Sequence, residues 1–288
     1  MASSIARLAA LTAIVFVVSS CRLPDPAPED LSALLTFSFS HYDPEDWTND
    51  ISLADAAVNL EQWFAEEVEG AEDFDPAAGF DARLTEANQR LTNDDLGGLS
   101  PAPEVLDGPA AAGVVVALET RCRLDELDAI YLDPDQMSYF PDNYVEYSRS
   151  QQEGLSCFPQ GDCLEASWRT HIVQEQTFPA AVWEATIDNR MRRLEATAPG
   201  GEEVHARMTR SWMTEPAVIT PSSLGSFLQN YQLEFTIERP GGGTLHVYPQ
   251  WVHFELGQIN TEAAVFLNAY INGMRDYLRT LETHCEGS

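Results

Sequence analysis

From Val114 onward the apolar residues of this chain recur at every second position, and that period decides what the chain can fold into. Val114, Val116 and Leu118 alternate with their neighbours, and Leu164, Ala166, Trp168, Thr170 and Ile172 share one face of a second segment. Ala181, Trp183, Ala185 and Ile187 do the same, as do Val204, Ala206, Met208 and Trp212, where Arg210 intrudes. The cleanest case sets Tyr231, Leu233, Phe235 and Ile237 against Gln232, Glu234, Thr236 and Glu238. Strands of this kind are expected to bury one face and show the other to water, as antiparallel strands do. The connections agree, because Pro199-Gly200-Gly201 and Pro240-Gly241-Gly242-Gly243 are too short for a parallel crossover. A looser strand is expected over Tyr139 to Tyr147. Leu245 and Val247 have the opposite parity to Val252, Phe254 and Leu256, which predicts a bulge or bend near Pro249.

The period before this region is different. Leu35, Phe37 and Phe39 alternate as in a strand, and Leu53, Ala56, Ala57, Leu60, Trp63, Phe64 and Val68 then recur at helical spacing, with Ser52 as candidate cap and Gly70 as stop. A second helix is expected over Asp81 to Leu91, before the Gly- and Pro-rich stretch Gly97 to Gly113. The chain ends in one long helix, capped by Asn260 or Thr261, whose stripe runs through Ala263, Phe266, Leu267, Tyr270, Ile271, Met274, Tyr277, Leu278 and Leu281. The expected class is α+β, a curved antiparallel sheet packed against a long C-terminal helix. This element order resembles the helix-grip folds of the START and Bet v 1 type. The resemblance implies a cavity between sheet and helix suited to an apolar ligand. A count of seven strands after Gly113, against the six of that family, leaves a different α+β sandwich open.

The N-terminus carries a basic n-region, the apolar run Leu8 to Val18, and then Val18-Ser19-Ser20-Cys21. The run is too short to span a bilayer. The four residues resemble the lipobox of bacterial lipoproteins, which implies cleavage after Ser20 and acylation of Cys21. An ordinary secretory signal is the alternative, and either one exports the chain. Arg22, in place of an Asp after the Cys, points within that resemblance to the outer membrane, facing the periplasm. The expected organisation is a signal peptide over 1–20, a lipidated Cys and Pro-rich tether over 21–30, and one acidic α+β domain over 31–288. Within that domain the helical part covers 31–112, and the sheet with the C-terminal helix covers 113–288.

Four further cysteines remain for an oxidising compartment, enough for two disulfides. Of the three possible pairings, Cys157–Cys163 closes a short loop and leaves Cys122 to reach Cys285. The spacings match no zinc pattern.

A formal charge of −30 argues against nucleic acid as a partner, and all 16 cationic residues are Arg, which excludes Schiff-base and P-loop lysine chemistry. No G-x-S-x-G, H-E-x-x-H, Walker or G-x-G-x-x-G motif occurs, so no catalytic residue, cofactor or metal is assigned. The acids Asp73, Asp75 and Asp81 fail the EF-hand pattern. The six His are read as polar surface residues. Trp168, Trp183, Trp212, Phe235 and Tyr270 are expected to point into the space between sheet and helix, either as ordinary core or as the lining of a cavity for an apolar ligand; Arg210 would meet that ligand's acid group or else pair with a carboxylate of the chain. The functional expectation is a membrane-anchored, non-enzymatic lipoprotein that binds a small apolar molecule or an envelope protein. An envelope hydrolase with an unrecognised site and a purely structural envelope component are the alternatives.

Overall fold

The structure, a computed structural model, describes residues 23–72, 75, 79–84, 91–96, 98–103, 112–177, 180–257 and 264–285. The lipobox and Cys21 lie outside the described residues. The fold is α+β, with a large antiparallel sheet and a C-terminal helix, as the sequence predicts. Helices α1 (Leu31–Ser40) and α2 (Trp47–Trp63) come first, α2 running into a π-helical turn over Phe64–Glu69 that Gly70 ends. The strands are β1 (Phe80–Leu84), β2 (Ala112–Thr120), β3 (Glu146–Glu153), β4 (Glu165–Thr177), β5 (Ala180–Thr197), β6 (Glu203–Met213), β7 (Val218–Thr220), β8 (Ser226–Glu238) and β9 (Thr244–Glu255). Short helices α3 (Asn93–Leu96), α4 (Leu124–Leu132) and α5 (Gln136–Tyr139) sit between strands, and α6 (Ala264–His284) closes the chain. The sheet order is β1-β2-β9-β8-β6-β5-β4-β3, with β7 paired to the outer part of β5. The β8–β9 turn needs its glycines. Gly243 has φ +77, and a Cβ there would stand 2.4 Å from the Thr120 carbonyl oxygen.

The expectation of one buried face fails, because this sheet is covered on both sides. On one side α1 and α2 bring Leu34, Phe39, Leu53 and Leu60 against Val115, Met208, Trp212, Leu233, Phe235, Val247 and Trp251. On the other, α4 and α6 bring Leu127, Ile271, Met274 and Leu278 against Val116, Leu118, Trp168, Ile187 and Val252. This removes the parity conflict in β9. Leu245, Val247 and Trp251 belong to the first layer and Tyr248 and Val252 to the second, so no break at Pro249 is required. The register shift lies instead on β8, between Phe227 and Gln229.

Other local expectations are corrected as well. Leu34 to Phe39 is helical, because Asp30 accepts from Ser32 N and Ala33 N and so starts a helix, and Leu34, Leu35, Ser38 and Phe39 form its buried stripe. Asp46, not Ser52, caps α2. The helix expected over Asp81 to Leu91 begins as strand β1, an edge partner of β2, and residues 85–90 lie outside the described residues. The segment Tyr139 to Tyr147 ends α5 and only enters β3, whose exposed, charged edge runs to Glu153. The tether is partly docked: Ala27 N donates to Asp55 at 2.9 Å, and Asn59 donates to the Pro28 carbonyl at 3.0 Å.

Cys122 and Cys285 stand at bonding distance, as do Cys157 and Cys163. The first pair ties the end of α6 to the segment after β2 across 163 positions.

Candidate functional site

A cavity of about 410 Å³ opens between the sheet and α6. Its walls are aromatic, with Trp168 and Trp183 from β4 and β5 and Tyr270 and Tyr277 from α6. Its mouth passes Ala269 and Gly273, both exposed on α6. Its floor is polar. β6, β8 and β9 bury apolar residues of one parity under α1 and α2 and turn the other parity this way, so Ser211, Gln232, Glu234 and Gln250 face the cavity, joined by Asn189 from β5. These groups bond to one another: Ser211 donates to Asn189 at 2.8 Å, Asn189 donates to Thr170 at 2.9 Å, and the Tyr248 hydroxyl donates to Gln232 at 2.9 Å.

Glu234 is 8% exposed, and the Tyr131 hydroxyl of α4 donates to its Oε1. Burial pushes its pKa up from 4.5 to about 7, against the lowering effect of that hydrogen bond. His246, read from sequence as a surface residue, is fully buried beside it, with Nδ1 3.9 Å from Glu234 Oε1. Neither ring nitrogen of His246 has a hydrogen-bond partner, and desolvation pulls its pKa down to about 3, so the ring is neutral at ordinary pH. Arg149 of β3 also reaches the cavity. Its Nε donates to the Tyr147 hydroxyl at 2.6 Å, its Nη2 donates to the Tyr131 carbonyl at 2.8 Å, and its guanidinium lies 4.6 Å from the centre of the Trp168 ring.

Of the residues the sequence nominates, Trp168, Trp183 and Tyr270 stand in the cavity wall. Arg210, Trp212 and Phe235 do not, and their expected place is corrected. All three lie on the far face, under α1 and α2. Arg210 donates to the Phe39 carbonyl at 3.2 Å and lies 4.4 Å from the Tyr42 ring, while Arg192 donates to the Tyr42 carbonyl at 2.7 Å and pairs with Asp50. The two arginines thus satisfy carbonyls at the end of α1, which would otherwise be orphaned in the core. Burial lowers the Arg210 pKa only to about 10, and it remains charged.

Nothing in the local alternation marks Glu234, Tyr131, Arg149 or the amides as cavity residues. The signal was available in the helical stripe of α2, which needs an apolar sheet face of its own. Among the described residues no three His, Cys, Asp or Glu side chains gather as a metal site requires.

No family model and no curated protein matches the chain. Among solved structures it is similar to a STAR-related lipid transfer protein from Xanthomonas axonopodis, at 11% identity over 60% of this chain and 85% of that one, with a TM-score of 0.40. It is also similar to a START superfamily protein from Mycobacterium smegmatis, at 11% identity over 60% of this chain and 97% of that one, with a TM-score of 0.38.

Proposed function

We propose that this chain is a non-catalytic binding protein whose cavity under α6 takes a small molecule with an apolar body and a polar flank, and that acylated Cys21 holds it at the cell envelope, on the periplasmic face of the outer membrane. The observation that carries the binding reading is the cavity itself. About 410 Å³ falls within the range of small-molecule pockets, and an aromatic wall facing a hydrogen-bonded polar floor suits an amphipathic guest. The sequence expectation of an apolar guest whose acid group meets Arg210 is revised by that floor, because Arg210 lies on the other face of the sheet. The anchor rests on Val18-Ser19-Ser20-Cys21, and acyl chains at about 0.8 kcal/mol per buried CH₂ would make it stable.

Native mass spectrometry of the full chain, with an environment-sensitive apolar dye as a second readout, tests the cavity. The wild type should carry a co-purified small mass or bind the dye, and Gly273→Trp at the mouth should abolish both. A wild type that shows neither, or a Gly273→Trp variant that binds as well, overturns the reading. Palmitate labelling that is equal in wild type and Cys21→Ala removes the anchor.

A further inference from the structure

The charged groups around the cavity are unevenly matched. Asp142, Glu175 and Glu234 line it, and Arg149 is the one cationic residue among the described lining residues. Arg149 is largely committed: two of its nitrogens bond to Tyr147 and Tyr131 and it stacks on Trp168, while its Nη1 is buried without a hydrogen-bond partner and does not reach the open space of the cavity. Glu234 is in the reverse position. Its Oε1 takes the Tyr131 hydroxyl, whereas Oε2 accepts no hydrogen bond among the described residues and is not sealed off. Among the described residues no cation pairs with it, and the neighbouring His246 ring is neutral. A buried carboxyl without a counter-ion is either protonated or waiting for a positive group.

Resting on the cavity reading above, we propose that Glu234 is the subsite for the ammonium group of an amphipathic primary or secondary amine whose apolar body lies along Trp168 and Trp183. An ammonium offers the N–H donors that Oε2 lacks. The aromatic rings around it add cation–π attraction. The net charge of −30 raises the local concentration of cations and lowers that of anions, which disfavours a carboxylate or phosphate guest.

The same geometry makes binding proton-linked. The groups that face Glu234 are Tyr131 from α4, Tyr144 from the loop before β3, His246 and Tyr248 from β9, and Tyr277 from α6; the ion pair of Arg207 with Asp128 lies between β6 and α4 nearby. Burial holds the four tyrosine hydroxyls protonated and the imidazole neutral, so Glu234 is the member of this group that titrates near neutrality. An ammonium needs the carboxylate, so its affinity falls about tenfold for each pH unit below about 7.

The test is calorimetric titration of the full chain with octylamine, octanol and octanoate at pH 5.5 and 8.5. Octylamine stays protonated throughout. It should bind more tightly than either of the others at pH 8.5 and about thirtyfold more weakly at pH 5.5. Glu234→Gln should weaken octylamine at pH 8.5 by about tenfold or more and remove its pH dependence, and should weaken octanol by much less. If octanol binds but octylamine binds no tighter, or binds better in acid, or ignores Glu234→Gln, the amine subsite falls and the cavity reading survives. If none of the three binds, both fall.

Discussion

Glu234→Gln should make the protein more stable, and by an amount that grows with pH. The carboxyl titrates near 4.5 in an unfolded chain and near 7 in the native cavity floor, where burial disfavours its charge. A carboxyl whose pKa is raised on folding holds its proton more tightly in the native state. Wild-type stability from this group is therefore complete below about pH 4.5, declines as pH climbs toward 7, and is lost above that. A separation of about 2.5 units at 1.36 kcal/mol each corresponds to about 3 kcal/mol. Glutamine is neutral at every pH and its carbonyl oxygen still accepts from Tyr131, so the variant does not follow this decline. Urea unfolding of both proteins at pH 4.5, 6, 7.5 and 9 measures the difference, and the repulsion among the remaining charges is nearly the same in each. The variant's advantage should rise by about 3 kcal/mol between the first and last of these. A difference that stays flat with pH would refute the claim that this carboxyl is desolvated and uncompensated.

Three other outcomes follow from the packing. Asp128 holds Arg207 through bonds of 2.8 and 3.0 Å with both residues buried, so Asp128→Ala should cost about 3–5 kcal/mol in urea melts, whereas replacing both with apolar residues should restore most of it. Joint replacement of Cys122 and Cys285 by Ser should lower stability by about 2–5 kcal/mol, and reductant should then have a smaller effect on the variant's melt than on the wild type's. Gly273 lies inside α6, where a Cβ would meet open space, so Gly273→Ala should raise stability by about 0.5–1 kcal/mol in chemical denaturation.

The strands and the final helix were legible because their periods are local. Tyr231 to Glu238 alternates whatever lies above or below it, and the Gly-rich turns force neighbours to be antiparallel. What alternation cannot say is which side is which. Set against the stripe of α6, alternation places the apolar parity of β6 and β8, with Arg210, Trp212 and Phe235, under that helix and turns polar residues such as Gln232 and Glu234 to water. They face the cavity under α6 instead. The same limit hid α1: Phe37 and Phe39 alternate over a short stretch, and the capping bonds of Asp30 outweigh that pattern. His246 shows the reverse failure, since a residue type common at surfaces sits in the interior with both nitrogens unbonded.

A sheet covered on both sides has few tolerant positions near its centre. Thr244 to Val252 is buried at every residue, odd and even alike. Substitution scanning along β9 should therefore show an unbroken run of intolerance where a half-exposed strand would show a two-residue rhythm. The positions that tolerate change should instead gather on β3, whose residues are mostly exposed, and on the loops.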